Sequence, residues 1–130
     1  MEPVVLIIDD EPVVLQVARD ILQLARYSVL SADSAMAAID LFKNAQRLDI
    51  LLVEASLPKI SGFSLAAKIK QLLDNAHLGV VIMSGWNYSL LFEAGDITDS
   101  EIFLSKPFDD RRLLEAVRRA LAPAGARPSK

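Results

Sequence analysis

Ile50-Leu51-Leu52-Val53-Glu54-Ala55-Ser56-Leu57-Pro58 is the stretch that decides how this chain folds. Four consecutive aliphatic residues without polar alternation suit a strand covered on both faces, as the central strands of a parallel sheet are. Glu54 ends that run, and Leu57-Pro58 turn the chain away at once, since proline lacks a ladder donor and restricts the residue before it. The carboxylate therefore sits at a strand tip, where open α/β sheets keep their ligands and their chemistry.

Working outward, three more apolar runs occupy residues 4–8, 80–83 and 102–104, and a weaker one at 27–31 reads as nearer a sheet edge. Stretches of helical period lie between them, and that alternation marks βαβ units around a parallel sheet. Val13, Val14, Val17, Ile21 and Leu24 predict an amphipathic first helix with Pro12 in its first turn. Asp33 or Ser34 caps a second helix running to Phe42, with Ala35, Ala38, Ile39 and Phe42 inward. A third spans 63–73, and the last spans 109–121 with Leu113, Leu114, Val117 and Leu121 on its apolar face. A helix starting at 89–94 is predicted to be short or irregular, because Gly95, Asp96, Thr98 and Asp99 each cost helix stability relative to alanine. The expected fold class is α/β: one flavodoxin-like, doubly wound, five-stranded parallel (βα)5 domain over residues 1–121. Residues 122–130 hold Pro123, Gly125 and Pro128 without apolar period, and are expected to be a disordered tail or linker.

Composition narrows the function classes. A chain of 130 residues fits one domain. Although 52% of residues are hydrophobic, no apolar stretch approaches the ~20 needed to span a bilayer, so that content goes into a core. Met1-Glu2-Pro3 carries no basic region, so no secretory signal and a cytoplasmic location are expected. The absence of cysteine excludes disulfides, thiolate metal sites and cysteine nucleophiles. A net charge of −3 gives no electrostatic case for nucleic-acid binding by this domain.

After the strands stand Asp9-Asp10, Glu54, Ser84 and Lys106-Pro107-Phe108. In a doubly wound sheet these carboxyl ends converge on one edge, so three carboxylates, a hydroxyl and an ammonium should share a pocket. The set suits phosphoryl chemistry. Carboxylate oxygens hold Mg2+, while hydroxyl and ammonium bind phosphoryl oxygens.

In order and spacing these residues resemble a response-regulator receiver domain, the phospho-accepting module of two-component signalling. Glu54 follows Asp10 by 44 residues, Ser84 follows by 30 more and Lys106 by 22 more. Leu57-Pro58-Lys59-Ile60-Ser61-Gly62 is similar to the family's turn after the acceptor strand, and Lys106-Pro107-Phe108 to its lysine-proline-aromatic signature. The resemblance implies a cis peptide before Pro107, with Ser84 and Phe103 as switch residues. It implies a Mg2+ site of Asp9, Asp10, Glu54 and the Ser56 carbonyl, with Ser84 and Lys106 as the phosphoryl-binding pair. It also implies a histidine kinase or other signalling protein as partner, and no enzymatic activity. Receivers commonly signal through the face made by the fourth helix, last strand and last helix. Trp86, Tyr88, Leu90, Leu91 and Phe92 lie there, making it a candidate surface for a partner or homodimer.

Glu54 departs from the family pattern, since it stands at the phospho-acceptor aspartate position. Its extra methylene moves the carboxylate roughly 1.5 Å, and a 1 Å error in placement can cost ~100-fold in rate. Phosphorylation is expected to be impaired and Mg2+ binding weakened or lost, because Mg2+ requires near-octahedral oxygens. Glu54 then acts either as a partial phosphate mimic or as a plain ion-pair partner of Lys106. An alternative is a Mg2+-dependent haloacid-dehalogenase-like phosphatase with Asp9 as nucleophile. Against it, Glu11 stands where that family has a second aspartate, and Asp109-Asp110 opens a helix instead of ending a strand. Other residues have plainer roles: Asp9-Asp10 can cap a helix, Ser84 can serve a turn, Phe103 can be core, and His77 is expected to be solvated.

Overall fold

The computed structural model describes residues 2–42, 47–85 and 102–121. Along the chain they form β1 (Val4–Ile8), α1 (Pro12–Leu24), β2 (Ser28–Ala32), α2 (Ala35–Leu41) and β3 (Ile50–Glu54). Then come α3 (Gly62–Leu72), β4 (Gly79–Ser84), β5 (Ile102–Ser105) and α4 (Asp110–Leu121). All strand pairs are parallel, in the order β2-β1-β3-β4-β5. This is the doubly wound arrangement, and the weaker second strand lies at an edge as expected. The short helix predicted at 89–94, the aromatic cluster around it and the 122–130 tail lie outside the described residues.

Side-chain alternation along the strands builds two cores. Leu6, Ile8, Leu51, Val53, Val80 and Ile82 face α2 and α3. Val5, Ile7, Ile50, Leu52, Val81 and Met83 face α1 and α4. Residues in β1, β3 and β4 are almost wholly buried, which is why these runs lack polar alternation. Phe103 on β5 stacks obliquely on Phe63, with ring centroids 6.3 Å apart.

The first helix buries a different stripe from the expected one. Ala18 and Leu22 are its buried residues, while Val13 and Leu24 are 73% and 88% exposed and Val17 is also exposed. Its thirteen residues carry two overlapping apolar stripes, Val13-Val17-Leu24 and Val14-Leu15-Ala18-Ile21-Leu22. Period alone cannot choose between them. The second stripe packs because small Ala18 lets the helix lie close on the sheet. On α4 likewise Ala116 and Ala120 join Leu113 and Val117 in the interior, and Leu121 sits at the rim.

Two local devices aim the strand ends. Ser34 and Ser61 cap α2 and α3, their hydroxyls accepting from the Ala37 and Ser64 N–H groups. Gly62 opens α3 against the end of β3: a Cβ at this position would lie 2.2 Å from the Glu54 carbonyl oxygen. Only glycine permits that approach. The Gly62 N–H donates to the Ala55 carbonyl at 2.9 Å, and an isolated bridge joins Ser56 to Ser61. The turn after Glu54 is thereby closed on itself.

Gly62→Ala should therefore cost about 1–3 kcal/mol, the usual cost of overpacking. Gly85→Ala, whose Cβ would meet nothing within 4 Å, should stay within about 0.5 kcal/mol of the parent. Urea unfolding of both variants checks this, and equal midpoints would contradict it.

Candidate functional site

Parallel register brings the predicted residues together. Ile8 pairs with Val53, Glu54 with Met83, and Ser84 with Ser105, so Asp9, Glu54, Ser84 and Lys106 emerge at adjoining strand ends. Asp9 and Ser84 are fully buried and Glu54 is 7% exposed. The Lys106 N–H donates to the Ser84 carbonyl at 3.0 Å, which ties the last strand end to its neighbour. The Lys106-Pro107 peptide is cis, as the resemblance implies.

Lys106 is the centre of the site. Its ammonium lies 2.7 Å from Asp9 Oδ2 and 3.4 Å from Glu11 Oε1, and it donates a hydrogen bond to Glu54 Oε1. The other Glu54 oxygen, Oε2, accepts the Ser56 N–H at 2.9 Å. Asp9 Oδ1 accepts the Glu11 N–H at 2.9 Å, while Oδ2 is buried with an ion pair but no aligned hydrogen bond. A cavity of about 330 Å3 opens over this cluster, lined by Asp10, Glu11, Glu54, Ser56, Gly85 and Lys106.

Glu11 is the residue that the sequence pattern did not single out for this site. Oxygens of Asp9, Glu11 and Glu54 lie within 4.8 Å of one another, close enough to share one ion, whereas exposed Asp10 is outside that set. The Glu11 N–H donates to Asp9 Oδ1 and closes a turn over Asp10, so that Asp9 and Glu11 lie together while Asp10 is exposed. Three hard carboxylates, one with a buried oxygen lacking an aligned donor, are a fitting donor set for Mg2+. Asp9, Glu11 and Glu54 are the residues that would hold it.

Burial pushes the Asp9 carboxyl up from its ordinary value; the adjacent Lys106 ammonium and the Glu11 N–H oppose this without cancelling it, and the Glu54 charge adds to it. For Lys106, burial disfavours the ammonium, but the carboxylates of Asp9 and Glu54 outweigh it and push the group up. One cation thus serves a surplus of carboxylates.

Comparison with known proteins identifies the family of the fold. A family model of the response regulator receiver domain matches residues 5–118. The two-component response regulator ORR5 of Oryza sativa subsp. japonica is 30% identical over 120 residues, covering 90% of each chain. The chemotaxis response regulator CheY4 of Vibrio cholerae superposes with a TM-score of 0.81 at 22% identity, over 93% of this chain and 100% of that one. The signal receiver domain of an HD domain-containing protein from Pseudomonas fluorescens Pf-5 gives 0.76 at 30% identity, over 93% and 95%.

The raised Asp9 carboxyl has a consequence for stability. Between its unfolded value near 3.8 and its higher folded value, the native chain holds more protons, so stability falls as pH rises through that window. At neutral pH the cost is fully expressed. Lys106 behaves oppositely: its ion pairing stabilises fully below about 10.5 and is lost only as alkaline pH passes its raised folded value. Asp9→Asn keeps the oxygen that accepts from Glu11. In metal-free buffer at pH 7 it should raise the unfolding midpoint, because it removes a charge whose burial the ion pair with Lys106 does not fully offset. The gain should shrink towards zero as pH falls towards 3.8. Thermal unfolding against pH checks this; an unchanged or lowered midpoint at pH 7 would contradict it.

Proposed function

Because this chain belongs to the response regulator receiver domain family, we propose that it is a receiver of two-component signalling whose phosphorylation is impaired, and that it works by binding a signalling partner. The observation that carries this reading is the engagement of Glu54. One of its oxygens bonds to the Lys106 ammonium and the other accepts the Ser56 N–H. A carboxylate that is to attack a phosphodonor in line must present a free oxygen at the right place, and both oxygens here are held. The Lys106 ammonium, which would stabilise a transferred phosphoryl group, is occupied by the same contact.

Ser84 and Lys106 remain the pair that would hold a phosphoryl group, and Phe103 the aromatic that would respond to it. The partner is a histidine kinase or another signalling protein, as is general for receivers. Exposed Val13 and Val17 of α1, with Val14, Pro107 and Phe108, line an apolar groove of about 430 Å3 beside the site. Such a surface suits an interaction module. Glu54 also resembles a phosphoryl group in part. It places a negative charge on Lys106, but one charge where phosphate carries ~1.5 to 2. It biases conformation only so far as two conformations bind that charge differently. Among the described residues, no helix is long and apolar enough to cross a membrane.

Glu54→Asp withdraws the carboxylate by one methylene and should restore acceptance. With acetyl phosphate and Mg2+, mass spectrometry should show phosphoryl uptake by the variant about 100-fold faster than by the parent. No gain would remove this account of the missing acceptor. Mg2+-dependent hydrolysis of a generic phosphate ester by the parent, abolished in Asp9→Asn, would favour the phosphatase reading instead.

A further inference from the structure

Two descriptions of the acidic cluster coincide. Asp9, Glu11 and Glu54 are the residues whose oxygens converge closely enough to hold one cation. They are also the three residues that the Lys106 ammonium pairs with, at 2.7 Å, 3.4 Å and through the hydrogen bond to Glu54. The point at which a divalent ion would find three protein carboxylates is therefore the point that the lysine reaches. We propose that Lys106 is the resident cation of this cluster, held by Asp9, Glu11 and Glu54 in the position a divalent ion would need.

Several observations converge on this. Glutamate's extra methylene lets position 54 meet the ammonium while its other oxygen stays on the Ser56 N–H. Asp9 Oδ2 is buried and has the ammonium as its ion-pair partner with no aligned hydrogen bond, the contact of a charge with a charge. Glu11 completes the ring from the solvent side, its side chain 64% exposed against 14% for Lys106. Mg2+ binds oxygens at ~2.0 to 2.1 Å and gives up its water reluctantly. It cannot share this space with the ammonium of like charge that the three carboxylates hold there. The site is thereby assembled without metal, and Mg2+ enters only where Lys106 leaves. This inference rests on the reading above, in which Glu54 stays on Lys106, and it names what that contact excludes.

Calorimetric titration of the whole chain with Mg2+ at pH 7, without any phosphodonor, tests it. The parent should show no saturable binding at millimolar Mg2+, and Lys106→Met should bind about tenfold more tightly or better. Adding Glu11→Gln to Lys106→Met should remove that gain. Parent binding as tight as that of folded Lys106→Met would overturn the proposal, as would a gain that survives Glu11→Gln. Should Lys106→Met not fold, the parent is titrated with Mn2+ and followed by NMR. Unbroadened amide signals of Ser56 and Gly85 uphold the proposal, and broadening at both overturns it. Since no phosphoryl group is present, these outcomes are independent of whether Glu54→Asp becomes an acceptor.

Discussion

An ammonium inside a protein is stable only where carboxylates meet it closely enough to offset the water it has lost, and Lys106 meets that condition at one place in this fold. The requirement reaches back through the architecture. Four parallel strands must end side by side, so that residues far apart in sequence project into one pocket. The β3–α3 turn must hold Glu54 steady, which is why a glycine sits where any Cβ would strike the strand's last carbonyl. The turn before α1 must hold Glu11 beside Asp9, as the Glu11 N–H donated to Asp9 Oδ1 does.

The same arrangement sets the chemistry. On the proposed reading, aspartate at position 54 would stand one methylene further from the ammonium and leave room for a cation and a phosphodonor between them. Glutamate closes that gap. Both of its oxygens then have partners, and the lysine that would serve a phosphoryl group serves the glutamate. On the same proposed reading, a single methylene alters nucleophile, anion site and cation site together, because all three share the same few ångströms. Burial of Asp9 adds tension, since its carboxyl is disfavoured as an anion even beside its partner.

Much of this was legible in the sequence. The strand ends could be read because fully buried strands are continuous apolar runs, and their termini carry the polar residues. Asp9, Glu54, Ser84 and Lys106 followed from where those runs stop. The apolar face of α1 was not legible: two stripes overlap in thirteen residues, and the choice depends on close approach at Ala18, a tertiary fact. Glu11 was missed because three consecutive acids look alike until the turn closed between the Glu11 N–H and the Asp9 carboxylate separates exposed Asp10 from its neighbours. Gly62 could be read as part of a turn, but its role depends on the carbonyl of a residue eight positions away.

The central claim is that Glu54, held by Lys106 and the Ser56 N–H, has closed the acceptor position. A crystal structure of the chain grown with Mg2+ and beryllofluoride tests that claim most directly. The account predicts no beryllofluoride on Glu54, whose two oxygens stay on Lys106 and Ser56. A beryllofluoride bound to Glu54, with Lys106 turned to a fluorine and Mg2+ among the acids, would contradict it.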